Sequence, residues 1–113
     1  MSPASDAADE LSEAAPVFAA LGDPTRLALM DRLSTEGPLS ITQLASGTSM
    51  TRQGVTKHLH VLADAHLVRD VRRGREHIWE LDQRRLDEAR RSLDQISRQW
   101  DDALGRLKQF VEE

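Results

Sequence analysis

The sequence predicts a mainly α fold with one small β-hairpin, and three observations lead there. Apolar residues recur at three- and four-residue spacing through most of the 113 residues, as in amphipathic helices. Residues 67–81 alternate instead, and Arg73-Gly74-Arg75 interrupts the alternation as a hairpin requires. From Asp82 onward the apolar residues settle into a seven-residue period, which asks for one long helix. The length suits a single domain.

Met1 to Asp9 is rich in Ala, Ser and Asp and contains Pro3, so residues 1–9 read as a flexible N-terminal tail. Ala14, Val17, Phe18 and Leu21 then share a helical face, and Gly22 stops that helix. Asp23-Pro24 starts the next one. Asp is a good N-cap, and Pro at the first helical position gives up an N–H that would have no partner there. Its expected inner face is Leu27, Met30 and Leu33, with Gly37-Pro38 at its end. Ser40 and Gln43 form a capping box for a short third helix, with Ile41, Leu44 and Ala45 inward. Ser46-Gly47-Thr48-Ser49 breaks it, and Thr51 caps a fourth helix whose inner face is Val55, Leu59 and Leu62.

Leu67–Arg72 and Glu76–Leu81 are strand-like, with Val68 answering Ile78 and Gly74 supplying a positive φ at the turn. Two short helices around a tight polar turn, followed by a basic-tipped hairpin, make a winged helix-turn-helix over residues 10–81. Residues 82–113 form its long C-terminal helix within the same domain. There Leu86, Leu93, Trp100 and Leu107 repeat every seven residues, as do Ala89, Ile96, Ala103 and Phe110. So long and narrow a stripe exceeds what a small domain can cover. It predicts a partner helix from a second copy of the chain, with Trp100 as an interface anchor. Gly105 weakens the last turns by roughly 1 kcal/mol relative to Ala.

The net charge of −4 is unevenly spread: residues 1–50 carry −5, residues 51–80 carry +2 and residues 81–113 carry −1. Between Gly37 and Ala63 there is no Asp or Glu, while Arg52, Lys57, His58 and His60 all lie there. A locally positive surface is what phosphate binding requires, because the field that matters acts over about a Debye length, ~8–10 Å. The absence of cysteine excludes disulfides, thiolate metal sites and Cys nucleophiles. No apolar run is long enough to span a membrane, and the acidic N-terminus does not resemble a secretory signal, so the expectation is cytoplasmic. No nucleophile elbow, glycine-rich phosphate loop or His-Glu-x-x-His is present, which argues against an enzyme. Asp101 and Asp102 are adjacent on a helix, so their carboxylates diverge.

Three runs carry a family resemblance: Phe18-Ala19-Ala20-Leu21-Gly22-Asp23-Pro24-Thr25-Arg26-Leu27, Ile41-Thr42-Gln43-Leu44-Ala45, and Thr51 through Leu62 with Val55-Thr56-Lys57-His58-Leu59 at its centre. With Ala65-His66-Leu67-Val68 and the wing Arg72 to Leu81, the chain from Pro16 to Leu81 resembles the ArsR family of bacterial winged-helix repressors. His66 stands where members often have Gly. The resemblance implies a homodimer built by the first and last helices, which brings Phe18 to the interface. It also implies a fourth helix in the major groove with flanking wings, and autoregulation. Many members sense metals through cysteines on the third helix or His and acidic residues on the last. This chain has no Cys and no His after His77, so it is closer to the metal-independent members and is expected to carry no cofactor.

The expected DNA-binding residues are Ser49, Thr51, Arg52, Gln53, Thr56, Lys57, His58 and His60, with Arg72, Arg73 and Arg75 on the wing. Arg grips guanine O6/N7 and Gln adenine N6/N7, each good pair contributing ~1–3 kcal/mol of discrimination. The bland reading of the same face is solvated polarity. His58, beside Leu59, is open between a DNA contact and a structural histidine, and His66 and His77 read as structural. His58 and His60 are two apart and point to different sides of a helix, unlike a metal pair at i, i+4. The function expected is a homodimeric repressor on an imperfect palindrome of double-stranded DNA. The alternatives are a ligand- or metal-responsive sensor of the same fold, with an unrecognised site, and a winged-helix protein–protein adaptor.

Overall fold

The computed structural model describes the backbone of residues 3–112 and the side chains of residues 12–112. Five helices and three short strands follow in the order α1 (Pro3–Leu21), α2 (Pro24–Glu36), β1 (Leu39–Ser40), α3 (Ile41–Ser46), α4 (Arg52–Asp64), β2 (Val68–Arg73), β3 (Glu76–Leu81) and α5 (Gln83–Glu112). The core gathers Val17, Leu29, Leu44, Val55, Leu59, Leu62 and Leu67, with Trp79 closing it from the sheet. No helix among the described residues is long and apolar enough to cross a membrane.

The first helix begins at Pro3, inside the stretch that the sequence reads as a tail. Met1 and Ser2 lie outside the described residues. The local sequence accounts for the extension: Pro fits a first turn, Ala4, Ala7 and Ala8 are strong helix formers, and an acidic composition near the start suits the positive end of the dipole. Pro16 sits inside the helix, where it lacks the N–H that would bond the carbonyl four residues back.

In α2 the inner face is Leu29, Met30 and Leu33, while Leu27 is 51% exposed. Steps of three fall about 60° short of a full turn, so a row of 27, 30 and 33 drifts around the helix. Leu29 replaces Leu27 on the buried side. Asp23 caps the helix, accepting from the Arg26 N–H at 3.0 Å.

Strand β1 is an addition that the sequence pattern did not announce. Its two residues pair with β3, Leu39 opposite Trp79 and Ser40 opposite Ile78, giving an antiparallel sheet in the order β1-β3-β2. Two residues are too few to display an alternation. The hairpin register also differs from expectation, since Val68 lies opposite Leu81 and Ile78 opposite Val71. Arg73 belongs to β2 and pairs with Glu76, which leaves Gly74-Arg75 as a two-residue turn with Gly74 at φ 63.

The corner between α4 and β2 forms a Schellman motif. The His66 N–H donates to Ala63 O at 2.9 Å and the Leu67 N–H to Leu62 O at 3.0 Å. The motif needs a left-handed residue, and here it is His66, at φ 61. Leu62 and Leu67 are both fully buried, which supplies the apolar contact across the motif.

Helix α5 starts on Asp82, whose Oδ1 accepts from the Arg84 N–H at 3.1 Å. Its 30 residues run about 45 Å at 1.5 Å per residue. Only the first half meets the body of the chain. Ala89 and Ser92 are buried against α1, and Arg85 reaches across to Glu13 O at 3.4 Å. Ala89, expected at an interface between copies, therefore belongs to the chain's own core, with Phe18 and Leu86 packed around it.

Candidate nucleic-acid interface

Helices α3 and α4 are held at fixed ends. The Ser40–Gln43 capping box is complete: Ser40 Oγ accepts from the Gln43 N–H at 3.2 Å, and Gln43 Oε1 from the Ser40 N–H at 2.9 Å. In the turn, Thr48 Oγ1 accepts from the Met50 N–H at 3.2 Å, and Thr51 Oγ1 accepts from the Gly54 N–H at 3.1 Å to cap α4. An orphan donor satisfied in this way stabilises a helix start by about 1 kcal/mol. The first turn of α4 is thereby oriented, and Arg52 and Gln53 stand on it, both exposed.

Two arginines of α2 hold the neighbouring helices by their C-terminal carbonyls. Arg32 donates to Leu44 O at 2.9 Å and Gln43 O at 3.2 Å in α3, while its Nε is paired with Glu36 at 2.8 Å. That bond from Arg32 holds the Glu36 pKa below the usual carboxylate range. Gly47 suits this clamp, because a Cβ there would lie 2.5 Å from Arg32 Nη1. Arg26 donates in the same manner to Ala20 O at 2.6 Å and Ala19 O at 3.5 Å in α1. The Arg26 backbone N–H lowers the Asp23 pKa, against some desolvation and aided by the Arg26 charge. No spacing in the sequence announces either clamp, since a guanidinium that reaches another helix leaves no periodic trace.

The remaining cations point outward. Arg52, Lys57, Arg72, Arg73 and Arg75 are exposed and belong to no ion pair within 4 Å among the described residues. On the hairpin the acids nearer its base are already engaged: Arg69 pairs with Glu80 and His77 with Asp70, both at 2.8 Å. Glu76 opposite Arg73 is the acid nearest the tip. The wing therefore ends in three guanidinium groups around Gly74.

The other expected residues divide. Ser49 and Thr51 are exposed beside Arg52 and Gln53. Thr56 is half-buried and donates its hydroxyl to Arg52 O at 2.7 Å, which leaves its oxygen lone pairs and methyl for other contacts. His60 is exposed with its ring 6.0 Å from that of Trp79, at the seam between α4 and the sheet. His58 faces away from Arg52 and Gln53, with Nδ1 3.5 Å from Arg26 Nη1 and 3.9 Å from Asp23 Oδ2.

A capped helix pair whose second helix carries no acid from Arg52 to Ala63, followed by a hairpin with a cationic tip, defines a winged helix-turn-helix DNA-binding protein. Known proteins agree. The helix-turn-helix domain family matches residues 21–71. An HTH-type transcriptional regulator of Mycobacterium tuberculosis, Rv2034, is 38% identical over 93 residues, which is 82% of this chain and 83% of that one. An ArsR-like transcriptional regulator from Rhodococcus sp. RHA1 superposes with a TM-score of 0.76 at 35% identity, covering 88% of this chain and 93% of its own. A homodimeric winged helix-turn-helix DNA-binding domain from Mycobacterium bovis, a possible ArsR-family regulator, superposes at 0.63 with 26% identity over 81% of this chain and 83% of that one. The chain belongs to the ArsR family of winged helix-turn-helix transcriptional regulators.

Proposed function

We propose that two copies of the chain pair through α5 and bind an operator as a cytoplasmic repressor. The observation that carries this reading is the uncovered apolar row on α5 from Leu93 to Val111. Trp100 is 65% exposed and Phe110 78%, and Leu93, Leu104, Leu107 and Val111 are exposed with them. A contiguous apolar surface of this kind marks an interaction site. The homodimeric state of the Mycobacterium bovis domain supports the same assembly here. Ile96 and Ala103 belong to the same repeat as the row, and Trp100 is its anchor.

Paired copies offer two recognition helices to successive major grooves, with half-sites ~34–36 Å apart on an imperfect palindrome. Arg52 and Gln53 read base edges from the first turn of α4, and Thr56 contacts a base methyl one turn on. Ser49, Thr51, Lys57 and His60 serve phosphates and the groove rim, and Arg72, Arg73 and Arg75 clamp the flanking backbone or minor groove. Repression follows from occupancy, since the bound dimer covers promoter DNA that polymerase needs. The chain's own promoter is the first candidate target.

The test is selection of bound duplexes from random DNA, followed by titration of the selected site at several salt concentrations. Affinity falls steeply with salt, because each neutralised phosphate releases counterions. Replacing Arg52 and Gln53 by Ala removes the preference for the selected site and leaves the dimer intact. A salt-independent affinity, or a preference that survives the double substitution, overturns the reading.

A further inference from the structure

The Arg26 guanidinium does more than close α1. Its Nε and Nη2 are given to the Ala20 and Ala19 carbonyls, and Nη1 is turned to His58 on the recognition helix. Arginine carries only donors, so in this pair His58 Nδ1 must accept. Asp23 Oδ2 closes the group from the other side, accepting from the Arg26 N–H at 3.0 Å and lying 3.9 Å from the same His58 nitrogen. The His58 side chain is 23% exposed, next to Leu59, which is fully buried. Three elements thus meet at one guanidinium: the end of α1, the start of α2 and the middle of α4.

We propose that His58 is a positioning residue for DNA recognition, whose Nδ1, held by Arg26, ties the recognition helix to the C-terminal end of α1. The tie sets the angle at which Arg52, Gln53 and Lys57 are presented. Because α1 also packs on α5, it joins the helix that carries the dimer row to the helix that reads bases. A loosened tie leaves every cation in place for phosphates but spoils the alignment that base contacts need. Affinity for an operator then falls while affinity for any duplex is kept. The inference rests on the DNA-reading role of α4 proposed above.

The experiment uses the full chain, the selected operator and an unrelated duplex of equal length. His58→Asn keeps an acceptor close to the position of Nδ1 but has no Nε2 edge with which to touch DNA, and His58→Leu keeps bulk without an acceptor. His58→Asn is expected within about threefold of the parent on the operator, and His58→Leu about tenfold weaker, as loss of a hydrogen bond to a charged group implies. Both variants bind the unrelated duplex as the parent does. Arg26→Ala behaves like His58→Leu, and the double substitution is no worse than either alone. An Asn variant as weak as the Leu variant means that the ring itself touches DNA, and overturns the proposal. So does a Leu variant that matches the parent, or one that loses both duplexes equally.

Nitrogen-15 NMR of the His58 ring in the parent protein tests the tie without DNA and without any variant having to fold. The expected neutral ring has its proton on Nε2 and a bare Nδ1. A neutral ring protonated at Nδ1 overturns the proposal. Should the parent bind no duplex at all, the operator reading fails while this signature still decides the tie.

Discussion

The two halves of α5 carry the same seven-residue repeat and meet different fates. In the first half, Ala89 and Ser92 are buried where α1 crosses, and both are small, so the helices approach closely. The leucines of the repeat flank that contact: Leu86 is half-buried and Leu93 lies 53% exposed. In the second half, from Ser97 to Glu112, every residue is exposed, including Trp100, Leu107 and Phe110. A repeat therefore reveals that a helix owns an apolar stripe. What covers the stripe depends on how far the rest of the chain reaches, and here the body ends halfway along.

The largest expected effect tests the covered half. Ala89→Asp buries a carboxylate against α1 and is expected to destabilise the fold by about 3 kcal/mol, read as a lower melting temperature. An unchanged melting temperature would show the two halves to be alike. Trp100→Asp probes the uncovered half: dimerisation weakens by at least about 2 kcal/mol while the helix content of each chain is kept, as sedimentation and circular dichroism would report. Operator affinity falls with it. A dimer that persists removes the pairing argument.

Two smaller substitutions sharpen the contrast by moving glycine in opposite directions. Gly105 lies in the uncovered half with nothing within 4 Å of an added Cβ, so Gly105→Ala raises helix stability by about 1 kcal/mol. A loss instead of a gain would mean that something packs closely there. At the corner after α4, His66→Gly relieves a left-handed side chain and is expected to raise stability by about 0.5–1 kcal/mol in urea titration. No gain would indicate that the imidazole makes a compensating contact.

Much of the frame was legible before any coordinates. Asp23, Ser40 and Thr51 signalled their caps, because an N-cap is a local exchange between one side chain and an amide three residues on. Gly74 signalled the turn for an equally local reason. Strand β1 was hidden, since two residues gain their identity only from the Trp79 and Ile78 they pair with. The Leu27 assignment failed because a three-residue spacing fits several arcs of a helix, and packing selects one of them. In the candidate site, the exposed cations could be found from the acid-free stretch around them. The inward turn of His58 could not, because it depends on Arg26, 32 residues away.

Helix starts, the basic hairpin tip, the acid-free recognition segment and the repeat of α5 follow from neighbours a few residues apart, and the chain's own order was enough to fix them. The hairpin register, the left-handed cost at His66, the clamps of Arg26 and Arg32, and the burial of Ala89 but not Trp100 were settled by packing. Each depends on where a distant segment arrives, and contacts at such separations have no period for a linear reading to detect.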